Sequence, residues 1–121
     1  REILEQTDVL LRERGIRWTL ILLPAEEQVD PKLQRLYEEM RGGLPEEYDF
    51  LKPQRLLLEW GRERGVKVVD LTPGFLAQTT ERRLYVDNDT HWNVNGNAVA
   101  AQVMLRELRP EFAKIAGVSI N

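Results

Sequence analysis

Ile3, Leu4, Thr7, Leu10 and Leu11 recur at helical spacing from the first residue, and Gly15 supplies the left-handed position on which such a helix closes. The pattern predicts an amphipathic first helix. The run 16–23 alternates at first and becomes continuously apolar before Pro24, as a parallel strand covered on both faces would. Asp30-Pro31 forms an N-cap and first-turn pair, and Leu33, Leu36, Tyr37 and Met40 carry a second helix to a stop at Gly42-Gly43. A loop over 43–49, holding Pro45, Glu46 and Glu47, leads to a helix over about 51–64, with Leu56, Leu57 and Trp60 on its buried side and Gly65 at its end. The run 66–71 predicts a second buried strand, and Thr72-Pro73 starts a helical turn containing Phe75 and Leu76. Leu84-Tyr85-Val86 reads as a third strand before the polar stretch Asp87-Asn88-Asp89-Thr90-His91. Asn93 is the N-cap of a last long helix with Ala98, Ala101, Leu105 and Leu108 as its apolar stripe and Pro110 as its limit; Gly96 and the alanines permit close helix-to-sheet approach.

Helices alternating with apolar strands predict an α/β fold: three α/β/α layers around a parallel sheet, as in flavodoxin-like folds. The strand C-termini then share one edge, where active sites form. Arg12-Glu13-Arg14-Gly15-Ile16 and Arg62-Glu63-Arg64-Gly65-Val66 are near copies, each where a helix ends and a strand begins, and the same turn chemistry used twice explains them. The 121 residues fit a single domain. Two or three strands are few for such a sheet, so the expectation is one incomplete domain with an open edge, prone to self-association or covered by a flanking segment.

Charge narrows the function classes. The 17 basic and 20 acidic residues are mixed along the chain, for a net charge of -3, which leaves neither a nucleic-acid stripe nor a polybasic membrane patch. The longest apolar run, over 20–23, is too short for a transmembrane segment. Arg1-Glu2-Ile3-Leu4-Glu5 lacks the layout of a signal peptide and reads as an excerpt beginning in mid-helix. With no cysteine there is no disulfide, thiol nucleophile or cysteine-bound zinc. The one serine, Ser119, stands two residues from the C-terminus, a poor place for a nucleophile.

His91 is the single histidine, set in a polar loop just before a helix. A histidine acting as general base must be held in one tautomer, which a carboxylate accepting its Nδ1 proton achieves. Asp89 is the nearest such carboxylate and Asp87 the alternative; in a loop, a two-residue spacing brings both side chains to the same side and leaves Nε2 for a hydroxyl. The plainer reading is that Asp89 and His91 cap the next helix or bond loop amides. Asp87, Asp89 and His91 also stand at alternate positions that a divalent cation could use, but the spacing does not fit an EF-hand, and neither metal nor cofactor is expected. Asp70 suits capping of the Thr72-Pro73 turn, Glu26-Glu27 and Glu46-Glu47 read as solvated faces, and nothing marks Thr79-Thr80 as a nucleophile.

The block Asp89-Thr90-His91-Trp92-Asn93, followed by Gly96 and an alanine-rich helix and preceded by Leu84-Tyr85-Val86, resembles the Asp/His block of the SGNH (GDSL-type) hydrolase superfamily. It is most similar to the Asp-Thr-His-Trp block of the bacterial alginate and polysaccharide O-acetyltransferases. A looser likeness covers about 8–108. The resemblance implies an SGNH-type esterase or O-acetyltransferase in which Asp89 orients His91, His91 activates a serine against an acyl ester, Trp92 packs beside the site or contacts substrate, and Asn93 caps the helix. A carbohydrate ester substrate and extracytoplasmic work are implied in the same way. The chain departs from the family in lacking the Gly-Asp-Ser, Gly and Asn blocks, so the serine would lie outside it, upstream as in ordinary members or downstream as in the alginate enzymes. A non-catalytic binding or scaffolding domain of the same fold is the alternative.

Overall fold

Two four-residue strands, β1 (Thr19–Leu22) and β2 (Lys67–Asp70), pair in parallel with Thr19 opposite Lys67 and Leu22 opposite Asp70. The computed structural model describes residues 1–43, 48–87 and 89–117. Around the strands run α1 (Glu2–Glu13), then α2 (Glu26–Val29), α3 (Pro31–Met40) and α4 (Lys52–Arg64) in the crossover, and α5 (Thr72–Leu76) and α6 (Val94–Ala116) after β2. Pairing continues past β2, where the Leu71 amide donates to the Leu22 carbonyl at 3.1 Å.

Strand geometry sends Ile21 and Val69 to one face and Leu20 and Val68 to the other. On the first face, Val69 and Ile21 join Leu71, Phe75, Leu84, Tyr85 and the α6 residues Val99, Ala100 and Val103 in the core. On the second, a Cβ at Gly61 of α4 would lie 2.2 Å from Val68 Cγ2, so the helix rests directly on the strand and only glycine fits. A sheet between two helical layers is therefore present in small form, with two strands among the described residues.

The helix α1 is held by a buried charge. Asp8 is 1% exposed; its Oδ1 accepts from Arg12 Nε at 2.8 Å and Trp18 Nε1 at 3.3 Å, and its Oδ2 from Arg64 Nε and Nη2 at 3.2 and 3.0 Å. Burial pushes this carboxyl up, and the three donors outweigh it and hold the group below the usual carboxylate range. The repeated Arg-Glu-Arg-Gly motif thus has a second use. Gly15 and Gly65 take φ of +66° and +64° at equivalent turns, and one arginine from each copy meets the same carboxylate.

Local cap signals hold in the structure. Asp30 caps α3 through the Lys32 amide at 2.7 Å, Asn93 caps α6, and Gly65 ends α4. Several expectations are corrected. Both strands are shorter than predicted, with Ile16 and Leu23 exposed outside β1. Leu84-Tyr85-Val86 forms no strand; the chain folds back on itself and leaves one antiparallel bridge, Tyr85 to Trp92. The α6 stripe is turned: Val99, Ala100 and Val103 face the core and Leu108 packs against it as expected, whereas Ala98, Ala101 and Leu105 face out. Pro110 does not end α6, because it removes a single donor while Lys67 Nζ fixes the neighbouring turns to β2, donating to the Glu107 carbonyl at 2.5 Å and Glu111 Oε1 at 2.8 Å. In α4 Trp60 is buried as expected and Leu57 half-buried, whereas Leu56 is exposed and Gln54 and Gly61 are buried beside Trp60. In α1 the inward side is Leu4, Thr7, Asp8 and Leu11, with Ile3 and Leu10 exposed. The helix α2 was not anticipated, and α3 leaves Leu36, Tyr37 and Met40 exposed. Pro45, Glu46, Glu47, Asn88 and Ser119 lie outside the described residues.

Candidate active site

The segment between α5 and α6 is anchored from below by apolar packing. Tyr85 is buried, its ring 5.9 Å from Phe75, and its hydroxyl donates to the Pro24 carbonyl at 2.8 Å. That bond ties the segment to the chain leaving the C-terminal end of β1, the sheet edge where a site was expected. Burial raises the Tyr85 phenol far above its ordinary value. Trp92 is half-buried with its ring 4.9 Å from Phe75. Gly96 lets α6 approach: a Cβ there would meet the Leu84 carbonyl oxygen at 2.3 Å.

Asn93 does most of the local tailoring. Its Oδ1 accepts from the Asn95 and Gly96 amides at 2.8 and 3.1 Å, satisfying donors that the first helical turn leaves free. Its Nδ2 donates to the Arg83 and Tyr85 carbonyls, both at 3.0 Å, so one side chain joins the incoming and outgoing arms. The arms are closed by the Asn93 amide on Leu84 O and the Val86 amide on His91 O, each at 2.9 Å.

At the tip, Asp89 and His91 come together. Asp89 Oδ1 accepts from the His91 amide at 2.9 Å and lies 2.5 Å from His91 Nδ1. The His91 ring and amide hold the Asp89 carboxyl below its usual range, against a smaller opposing effect of burial. In the neutral tautomer whose Nδ1–H donates to this carboxylate, Nε2 is the bare nitrogen, and the His91 side chain is 85% exposed. The arrangement can accept a proton from a hydroxyl brought to Nε2 and stabilise the resulting imidazolium.

Asp87 is not the partner of His91; it pairs with Arg83 Nη1. Arg83 Nη2 lies 3.8 Å from Glu26 Oε1, and Arg83 Nε donates to the Tyr85 carbonyl at 3.2 Å. Glu26 is no solvated face, its side chain being 16% exposed. Burial pushes its carboxyl up while Arg83 opposes that shift. Neither Glu26 nor Arg83 was found from the sequence; the available signal was the position of Glu26 just beyond the strand-ending Pro24. Asp70 Oδ1 accepts from the Thr72 amide at 2.9 Å, the capping role expected of it. Among the described residues, no three His, Cys, Asp or Glu side chains gather in a way that could hold a metal ion. No helix among them is long and apolar enough to cross a membrane.

The family described as ALGX, the SGNH hydrolase-like domain of the acetyltransferase AlgX, matches residues 1–119. No curated protein and no solved structure shows a significant match.

Proposed function

Since the chain belongs to the family of SGNH hydrolase-like domains of AlgX-type acetyltransferases, we propose that it supplies the base half of an acyl-transfer site. In this reading His91 is the general base and Asp89 its orienting partner. Nε2 takes the proton of a serine hydroxyl contributed from outside this chain, and the serine oxygen attacks the carbonyl carbon of an acetyl ester. The protonated ring then gives its proton to the departing alcohol oxygen. A second hydroxyl, deprotonated in turn by Nε2, attacks the acyl-serine and receives the acetyl group as the bond to the serine oxygen breaks, and the ring returns its proton to that oxygen. Asp89 stays ionised throughout. A carbohydrate hydroxyl is the proposed acceptor, and Trp92, adjacent to the base, is proposed to line its subsite.

The observation that supports this most is the Nδ1 to Asp89 contact of 2.5 Å with the rest of the ring open to solvent. Oxyanion donors of this reaction class contribute about 3–4 kcal/mol each to the transition state, and together with the serine they must come from elsewhere, so the 121 residues alone should be inactive. The test is turnover of a chromogenic acetyl ester by the product of the whole gene. His91→Ala and Asp89→Asn should each lower it by about 10³–10⁴ while leaving the fold intact. Near-normal turnover in either variant removes the proposal. Because the chain holds no serine except Ser119, a binding or scaffolding domain of the same fold is the second reading. A whole gene product with no serine on a strand-to-helix turn would favour it.

A further inference from the structure

We propose that Arg83 is the positioning residue of the Asp89 and His91 pair, holding their turn on the end of β1 by bridging Asp87 to Glu26. The inference rests on the proposed role of His91 as base. The residues at the tip, Asp87, Asp89, Thr90 and His91, are all exposed, and the apolar anchors Tyr85 and Trp92 sit below them. Order at the tip therefore depends on polar ties. An exposed pair four residues apart, such as Arg83 with Asp87, contributes little by itself. Arg83 does more because its other nitrogen faces Glu26, whose side chain is largely buried and stands on the first residue of α2, just past β1. One planar guanidinium thus spans two carboxylates, one on the turn and one just past β1, with its Nε on the Tyr85 carbonyl between them.

The side chain can be removed without disturbing the rest of the local scaffold. The bonds from Asn93 and Asn95 to this residue go to its main-chain carbonyl, at 3.0 and 3.2 Å, and any residue at position 83 provides that group. Glu26 would lose the cation that offsets its burial, so Glu26→Gln should mimic loss of the tie.

The test is nuclear magnetic relaxation on the 121-residue chain, where His91 is the single histidine and its ring resonances are unambiguous. In Arg83→Gln, the amide order parameters of Asp89 and His91 should fall from about 0.85 to below about 0.6, with β1 and β2 unchanged. Glu26→Gln should do the same, and Arg83→Lys should restore part of the order, as a point charge reaches one carboxylate at a time. Unaltered order at His91 in Arg83→Gln overturns the inference, and so does an equal loss of order across both strands. The base reading is checked separately by the ring tautomer: Asp89→Asn should release His91 from the Nδ1–H form. If the tautomer is indifferent to Asp89 while Arg83→Gln still loosens the tip, the base reading falls and the Arg83 tie stands.

Discussion

Replacing Gly96 with alanine should destabilise the protein by about 1–3 kcal/mol, although in an isolated helix the same change is favourable by up to about 1 kcal/mol. The added Cβ would stand 2.3 Å from the Leu84 carbonyl oxygen and 2.9 Å from Trp92 Cβ. Carbon-to-oxygen contacts settle near about 3.3 Å, so the arm carrying Leu84 would have to retreat by about 1 Å. That oxygen accepts the Asn93 amide at 2.9 Å. Retreat therefore forfeits a hydrogen bond worth about 1 kcal/mol and adds overpacking of about 1–3 kcal/mol, against which the helix-propensity gain is smaller. Urea unfolding followed by tryptophan fluorescence would report a lower midpoint at an unchanged slope. A midpoint equal to or above that of the parent would refute the close-approach reasoning.

Tyr85→Phe should cost about 1–3 kcal/mol by leaving the buried Pro24 carbonyl without its donor. Because burial raises the Tyr85 phenol in the fold, the stability it protects is complete below about pH 10 and falls as pH rises above it; denaturant midpoints across alkaline pH should lose that slope in Tyr85→Phe. Asp8 has the opposite sign. Its folded value is lowered, so its contribution is present above about pH 3.9 and is lost as pH falls further. Asp8→Asn should lower the melting temperature at neutral pH and flatten that acid limb; an unchanged melting temperature would show that α1 does not depend on the cluster.

What could be read in advance was chemistry settled within a few residues. Asp30-Pro31, Asn93, Gly65 and the Asp70 cap each act over one turn, and so does the Asp89 and His91 contact, whose donor and acceptor stand two positions apart. Distant partners decided the features that were missed. The facing of α6 follows from Val99 and Val103 packing over Gly74 of α5 and sharing one core with Val69, and the stripe of alanines gave no clue to this rotation. Leu84-Tyr85-Val86 has strand composition, yet Gly96 and Asn93 draw the segment into a turn-back. Asp8, in the middle of an amphipathic helix, gave no hint that two arginines and an indole would enclose it. Arg83 and Glu26 are likewise joined only by the fold.

The parallel pairing of Thr19 with Lys67 closes a loop that holds α2, α3 and α4. Closing so large a loop costs entropy that its few strand contacts must repay. The β1 and β2 amides should then exchange with deuterium only when the whole molecule opens, while the exposed turn at His91 exchanges through local fluctuation. A platform closed across a long stretch of chain thereby carries the exposed Asp89 and His91 pair.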